Sequence, residues 1–194
     1  SDFKTFKYHV ESDELINEIH SGLNQNVSPS EVRSWRNSLK EMYKVLSFSQ
    51  LPDEVEIGIE YKLPISLKRI DFLIAGANKE DNNVIIIELK QWSEVTKTDM
   101  PGLVLLQGKL FTHPSWQAYS YAKIISFFNE AVQQNSISFY PIAFLHNYKN
   151  QYLEHLIDPI YGDALENAPI FIESDYKRLK DYIDNHIKKA SKQK

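Results

Sequence analysis

The sequence predicts an α/β domain in which a mixed β-sheet is flanked by helices. Three observations support this: a helical apolar pattern precedes three strand-like segments, a second helical pattern follows them, and another apolar strand comes after that helix. Because a helix separates the third and fourth strands, these two strands are expected to run parallel. A chain of 194 residues that is 42% hydrophobic and 12% aromatic suits a single domain with a sizeable core.

The first helix of the predicted core begins at a strong start signal. Ser28 is the expected N-cap, Pro29 takes the first helical position, and Glu31 can close a capping box. Apolar residues then continue at helical spacing to Leu46. Glu31 is therefore interpreted either as a capping residue or as an additional acid near the site described below. Residues 1–27 are expected to form an N-terminal extension with one short helix.

Three strands are predicted at 55–63, 68–75 and 84–91. The first alternates apolar with polar residues, as a half-exposed strand does. Its inward-facing residues are expected to be Val55, Ile57, Ile59, Tyr61 and Leu63. Glu60 then faces the other way, either solvated or as a supporting acid beside the second strand.

The third strand carries charge at its end. Val84–Ile87 is a run of four β-branched residues, typical of a central strand covered on both faces. Since strand side chains alternate, Glu88 and Lys90 leave the same face about 7 Å apart. If the second and third strands form a hairpin, Asp71 lies beside Glu88, and the two carboxylates repel unless they share a proton or a cation. Asp71, Glu88 and the backbone carbonyl of Leu89 are thus predicted ligands of a hard divalent cation.

A simpler interpretation is that the Glu-x-Lys triplet is only a solvated strand end. The acid on the preceding strand and polar residues further along the chain favour a functional site. In the helix predicted from 113 to about 134, Gln117 and Tyr121 are four residues apart and share one face. Gln117 is interpreted either as an exposed residue of the first turn or as a site residue that holds a ligand carboxylate or a phosphate.

The remaining segments complete the prediction. A mobile loop is expected over 94–102, followed by a small hairpin over 103–112 and, beyond the helix, a strand over 136–145. A short strand at 169–172 and a final helix from residue 174 or 175 are predicted near the end of the chain. Three cations are interpreted either as ordinary surface residues or as phosphate contacts: Lys62, Lys68 and Arg69.

Composition excludes several classes of protein. The absence of cysteine rules out disulfides and thiolate metal sites. No apolar run approaches the ~20 residues of a membrane span and no signal-peptide pattern opens the chain, so we expect a cytoplasmic protein without a membrane partner. A net charge of −4 argues against binding nucleic acid through bulk charge alone. A local basic surface around an acidic metal site remains compatible with that charge.

The order helix, three strands, helix, strand resembles the restriction-endonuclease-like core of the PD-(D/E)XK nucleases. Asp71, Glu88 and Lys90 match the Asp…Glu-x-Lys motif of that family, although the Asp follows Ile here rather than Pro. Gln117 and Tyr121 match the Gln-x-x-x-Tyr helix motif of its RecB-like branch. The resemblance covers residues 28–146 and implies a catalytic set of Asp71, Glu88, Lys90 and Gln117, with Glu31, Glu60 and Tyr121 in support.

Longer segments are similar to the N-terminal domain of bacterial Schlafen-like nuclease–helicase fusions. The similar segments are 30–35, 60–64, 68–72, 87–92 and 113–117. This resemblance implies Mg or Mn as cofactor, a nucleic-acid substrate with DNA favoured over RNA, and a helicase domain after residues 147–194. We therefore expect the chain to be part of a longer protein.

The leading functional hypothesis is a metal-dependent nuclease that hydrolyses phosphodiester bonds. One alternative is a catalytically silent module of the same fold that guides nucleic acid to an attached helicase. Another is a protein-interaction domain in which the acid pair is only structural.

Overall fold

The computed structural model describes residues 1–12, 14–23, 27–63, 66–79, 81–128 and 137–191. Its helices are α1 (Phe3–His9), α2 (Glu14–Leu23), α3 (Pro29–Ser47), α4 (Pro114–Phe128), α5 (Gly162–Asn167) and α6 (Tyr176–His186). Its strands are β1 (Glu56–Lys62), β2 (Arg69–Ala77), β3 (Asn82–Lys90), β4 (Thr96–Lys97), β5 (Leu103–Leu106), β6 (Lys109–Thr112), β7 (Ile137–Leu145) and β8 (Ile170–Ile172). Three short 3-10 helices lie at Asn150–His155, Pro159–Tyr161 and Glu173–Asp175.

The main sheet has five strands in the order β1-β2-β3-β7-β8. The β1–β2 and β2–β3 pairs are antiparallel, whereas β7 runs parallel to both β3 and β8. The predicted α/β class with a mixed sheet is therefore confirmed, as is the parallel crossover through α4. The predicted C-terminal strand is the fifth strand of this same sheet.

Helices cover both faces of the sheet. Ile85, Ile86 and Ile87 are all fully buried, with Ile85 and Ile87 on the face covered by α3 and Ile86 on the face covered by α4. This alternation explains why a run of β-branched residues occupies the middle strand, because both faces of its central residues are covered. The predicted burial on both faces is confirmed for Ile85, Ile86 and Ile87, whereas Val84 is only partly buried.

The N-terminal residues pack on the same core. Phe6 on α1 is fully buried, and its ring lies edge-to-face on Phe72 with 5.4 Å between centroids. The sequence did not predict α1. The helix expected near residue 12 is α2, and it ends one residue beyond Gly22. Two parts of that prediction, Asp13 and the loop at 24–26, lie outside the described residues.

The start of α3 follows its sequence signal. The helix begins at Pro29, and the Ser28 hydroxyl accepts a hydrogen bond from the Glu31 N–H at 3.2 Å. The Ser28 cap is therefore confirmed. This cap fixes the first turn of α3, which carries Glu31, a residue of the site described below.

The alternation predicted for β1 breaks down at Glu60, and the inward assignment of Tyr61 is wrong. Tyr61 was expected to face inward but is 44% exposed, while the side chain of Glu60 is only 9% exposed and so is not solvated. The cause is the backbone of Glu60, whose φ of 51° lies in the left-handed region. A residue in that conformation interrupts the regular up-and-down alternation of a strand.

A second, three-stranded sheet has the order β4-β5-β6. The predicted hairpin over 103–112 is confirmed, with Gln107 and Gly108 at positive φ in its turn. The continuous loop expected over 94–102 is wrong in part, because Thr96 and Lys97 pair with β5. The part of the predicted helix beyond Phe128 falls on residues 129–136, which lie outside the described residues. Among the described helices, none is long and apolar enough to cross a membrane.

Candidate active site

A cavity of about 480 Å³ opens between α3, the adjoining ends of β1, β2 and β3, and the first turn of α4. Most of the side chains singled out in the sequence line it. They are Glu31, Glu60, Arg69, Asp71, Glu88, Leu89, Lys90 and Gln117. Residues from five separate elements therefore meet in one place.

Asp71 and Glu88 come from neighbouring antiparallel strands. Phe72 pairs with Ile87, so the next residues outward, Asp71 and Glu88, lie side by side. Oδ2 of Asp71 accepts a hydrogen bond from the Leu89 N–H at 2.8 Å. Glu88 is only 1% exposed, and its Oε2 is buried with no hydrogen-bond partner among the described residues. An unpaired buried carboxylate oxygen is costly unless a proton or a cation satisfies it.

Burial and mutual repulsion both act on this acid pair. Burial raises the pKa of Asp71, against the opposing effects of the Lys90 charge and the Leu89 N–H. Burial also raises the pKa of Glu88 well above its usual value, and the negative charge of Asp71 adds to that rise. Two neighbouring buried carboxyl groups favour a shared proton or a bound cation over two free negative charges.

Lys90 is the counter-charge of the pair. Its Nζ lies 2.6 Å from Oε1 of Glu88 and 3.3 Å from Oε1 of Gln117. Burial alone would lower the pKa of Lys90, but the Glu88 and Asp71 carboxylates outweigh it and raise that pKa above its usual value. The ammonium group therefore stays charged at neutral pH, next to the acid pair.

Gln117 is half-buried on the first turn of α4, so the exposed alternative is not what the structure shows. Its Nε2 donates a hydrogen bond to the Tyr121 hydroxyl at 2.8 Å. This bond directs the other end of the amide, Oε1, to Lys90. The four-residue spacing of Gln117 and Tyr121 thus allows a chain of two hydrogen bonds, from the Tyr121 hydroxyl through the Gln117 amide to Lys90 on β3.

Glu31, Arg69 and Glu60 form a second charged group in the cavity. Nη2 of Arg69 lies 2.8 Å from Oε1 of Glu31, and Nε of Arg69 lies 2.7 Å from Oε2 of Glu60. Burial, with the nearby Asp71 charge, raises the pKa of Glu60 to about 7 although Arg69 opposes the rise. Glu31 thus faces the cavity while its backbone N–H is capped by Ser28.

The structure does not bring all the predicted cations to the cavity. Lys62 is exposed on β1, and Lys68 lies with its Nζ 5.9 Å from the centroid of the Tyr121 ring. Neither is among the described residues that line the cavity. Arg69 does line it, but in two ion pairs rather than as a free cation.

Several cavity residues were not predicted. Trp35, Ser34 and Ser38 follow Glu31 at helical spacing, a signal that would have placed them on its face. Gln91 and Trp92 directly follow Lys90. The Gln91 amide donates to Oγ of Ser34 at 2.7 Å, and Oγ of Ser38 lies 3.0 Å from Nε2 of a buried histidine, His146. These contacts join α3 to the residues that directly follow β3 and β7.

Comparisons with known proteins leave the function to be argued from this geometry. No protein-family model matches the chain, and no curated protein or solved structure matches it either. Among the described residues there is also no cluster of three or more His, Asp or Glu side chains arranged to hold a metal ion. The predicted ligand set is smaller, with two carboxylates and one backbone carbonyl.

Proposed function

We propose that this chain is a metal-dependent nuclease domain that hydrolyses phosphodiester bonds of DNA or RNA, with DNA favoured. One observation carries the proposal: Asp71, Glu88 and Lys90 converge at one end of a cavity, and the buried Oε2 of Glu88 has no partner among the described residues. The proposal includes a restriction-endonuclease-like core of the PD-(D/E)XK type, and an attached helicase domain as its partner.

The donor set suits a small hard cation. Mg²⁺ and Mn²⁺ prefer oxygen ligands, and Asp71, Glu88 and the Leu89 carbonyl offer only oxygen. Burial raises the pKa of both acids, and the Asp71 charge raises that of Glu88 further, so a bound cation would favour their charged forms. When bound, such an ion lowers the pKa of its water and neutralises charge on the phosphate.

Lys90 supplies the positive charge from the protein. Its ammonium group is held between Glu88 and Gln117, so it is oriented before a substrate enters. From there it orients the attacking water or stabilises the negative charge that develops on the phosphate oxygens. Gln117 acts as a positioning residue, since Tyr121 fixes its amide and the amide contacts Lys90.

Arg69 is the proposed phosphate contact inside the cavity. Glu31 and Glu60 hold its guanidinium group at the wall, where it is aligned although paired. A guanidinium group binds a phosphate through two parallel hydrogen bonds, which a lysine does not provide. Lys62 and Lys68 are proposed only as more distant contacts along the substrate.

A cleavage assay tests the proposal. Single- and double-stranded DNA and RNA are incubated with the chain in Mn²⁺, in Mg²⁺ and in chelator. Cleavage should require the ion and should fall by about 100-fold or more in Asp71→Ala and in Lys90→Ala. Asp53→Ala and Lys149→Ala, which remove exposed charges that do not line the cavity, should cleave as the wild type does.

Circular dichroism of each variant verifies folding. Cleavage at the wild-type rate in both Asp71→Ala and Lys90→Ala would rule out the proposed site. Binding of nucleic acid in a gel shift, with no cleavage under any condition, would instead favour the catalytically silent module.

A further inference from the structure

Two aromatic side chains continue the cavity wall beyond Lys90. Trp92 lines the cavity, and the ring of Phe111 on β6 meets it edge-to-face with 5.7 Å between centroids. Nζ of Lys90 lies 5.2 Å from the centroid of the Trp92 ring. An ammonium group, an indole and a phenyl ring thus form one continuous surface. We call Trp92 and Phe111 together the aromatic platform.

The second sheet holds Phe111 at the surface. Phe111 pairs with Val104 on β5. Val104 is fully buried in a second hydrophobic cluster, which also contains Leu145 and Tyr148. The hairpin is therefore anchored by Val104, while Phe111 beside it remains 40% exposed. A single exposed aromatic residue is common on any protein. The informative feature is that this one contacts a cavity residue two positions after Lys90.

We propose that the aromatic platform stacks unpaired bases, so that the cavity takes single-stranded nucleic acid or a single-stranded end. This inference depends on the proposed function, because it assigns the substrate class of the same cavity. An aromatic ring stacks only on a base whose face is free. In a duplex each base face is covered by its neighbours, and only groove edges and phosphates are accessible.

The charges around the cavity point the same way. The chain carries a net charge of −4, Arg69 is held in two ion pairs, and Lys90 is paired with Glu88. Cations that are already neutralised contribute little to binding through counterion release. Inside the cavity, nucleic acid must therefore also be bound through uncharged contacts, and base stacking is the contact that two adjacent rings offer.

Fluorescence anisotropy tests this inference in the presence of chelator, so that nothing is cleaved. The probes are fluorescein-labelled single-stranded DNA and RNA and a DNA duplex of matched length. We expect the wild type to bind a single strand more tightly than the duplex. Phe111→Leu and Trp92→Leu should weaken single-strand binding by roughly 5- to 100-fold, the range for loss of one stacked base.

Two further variants separate stacking from folding. Phe111→Tyr keeps the ring and should bind as the wild type does. Phe48→Leu removes another exposed phenyl ring, 78% exposed at the end of α3, and should also leave binding unchanged. Single-strand affinity should fall only shallowly between about 50 mM and about 200 mM salt, whereas 6–10 phosphate contacts would lower it by roughly 10³- to 10⁵-fold.

Three results would overturn the inference. They are the absence of single-strand binding by the wild type, tighter binding of the duplex, and wild-type affinity in both Phe111→Leu and Trp92→Leu. The nuclease proposal can fail separately. If single-strand binding depends on Phe111 but the chain never cleaves, the aromatic platform is supported and the nuclease is contradicted. If cleavage depends on Asp71 but binding does not depend on Phe111, the nuclease is supported and the platform is contradicted.

Discussion

The carboxylate of Asp71 accepts a hydrogen bond from the backbone N–H of Leu89, with 2.8 Å between Oδ2 and the nitrogen. Leu89 lies between Glu88 and Lys90 in the chain. The bond therefore ties the acid of one strand to the residue whose two neighbours carry the other charges. Because the donor is a backbone group, the position of Asp71 depends on how β2 and β3 pair rather than on any neighbouring side chain.

Added Mn²⁺ should raise the unfolding temperature of the wild-type chain at about pH 8. An ion that binds only the folded state stabilises it by about 2.7 kcal/mol at 100 times its dissociation constant. Glu88→Gln should abolish this shift because it removes a charged ligand. Thermal unfolding followed by circular dichroism, with Mn²⁺ and with chelator, provides the measurement.

The matched control for the ion experiment is Glu173→Gln, which replaces an exposed glutamate paired with Lys149. It should retain the full shift. An equal shift in Glu88→Gln would contradict the assignment of Glu88 as a ligand.

Glu60→Gln should change how stability depends on pH. The pKa of Glu60 rises from 4.5 to about 7 on folding, mainly through burial. The folded chain therefore binds this proton more tightly, and the free energy of unfolding falls as pH rises from about 4.5 through about 7. Relative to the wild type, the variant should gain at most about 3 kcal/mol between about pH 5 and pH 8.

Urea unfolding in chelator measures this difference. Glu56→Gln, at an exposed position on the same strand, serves as the control. A constant difference in Glu60→Gln would show that Glu60 is not buried as described.

His113 should give a pH dependence of the opposite sign. It is fully buried, with Nε2 3.0 Å from the Leu156 carbonyl oxygen, and burial lowers its pKa from 6.5 to about 4. The unfolded chain binds this proton more tightly, so stability is lost as pH falls from about 6.5 to about 4. The loss of unfolding free energy from this one group should approach about 3 kcal/mol.

His113→Gln should remove that pH dependence while it lowers stability at neutral pH, since the ring stacked on Tyr161 is lost. His20→Gln, at an exposed position on α2, provides the comparison. Urea unfolding between about pH 4 and about pH 6.5 measures the free energy of unfolding. If it falls with decreasing pH as steeply in His113→Gln as in the wild type, the prediction is refuted.

Tyr121→Phe should slow cleavage without unfolding the domain. The hydroxyl that fixes the Gln117 amide is lost, so Oε1 of Gln117 is no longer directed at Lys90. Loss of such an outer contact typically costs about 10-fold in activity. Steady-state kinetics of the variant should show the effect in kcat. Tyr119→Phe on the same helix is the control, and equal rates in the two variants would contradict the role of the Tyr121–Gln117–Lys90 hydrogen bonds.

Gly76→Ala should destabilise the fold by about 1–3 kcal/mol, the range for overpacking. A Cβ at Gly76 would lie 2.8 Å from the Lys189 carbonyl oxygen and 2.7 Å from Cγ2 of Ile187. The segment after α6 would have to move, although its backbone bonds to Ala77 hold it. Urea unfolding measures the change.

Gly22→Ala is the matched control for that substitution. Among the described residues, no atom beyond its own helix lies within 4 Å of the added Cβ, and alanine favours a helix by about 0.5–1 kcal/mol. It should therefore be neutral or stabilising. Destabilisation in this variant and none in Gly76→Ala would contradict the described packing.

Signals carried by a few adjacent residues predicted much of the fold. The Ser28 cap and the buried run Ile85–Ile87 act through their immediate neighbours, so the sequence alone indicated both. Alternation along β3 likewise placed Glu88 and Lys90 on one face. The helix α1 was missed because its seven residues are too few to show a clear helical pattern, and its stability comes from the burial of Phe3 and Phe6.

The partners of the charged residues required the tertiary structure. Arg69 is a plausible phosphate contact in the sequence, yet it is held by Glu31 and Glu60, which are 38 and 9 positions away. The inward-facing Glu60 depends on one left-handed backbone conformation that no neighbouring residue predicts. Residue types specify which groups can pair, but the pairing of distant strands and helices decides which of them meet.

The sequence by itself determined the α/β class, the central apolar strand and the acid and lysine at its end. Only the tertiary structure decided that Asp71 contacts the β3 backbone, that Glu88 keeps a buried oxygen without a partner among the described residues, and that Phe111 reaches Trp92. The physical reason is range. Propensity and periodicity act over a few residues, whereas burial and charge pairing depend on groups brought together across the fold.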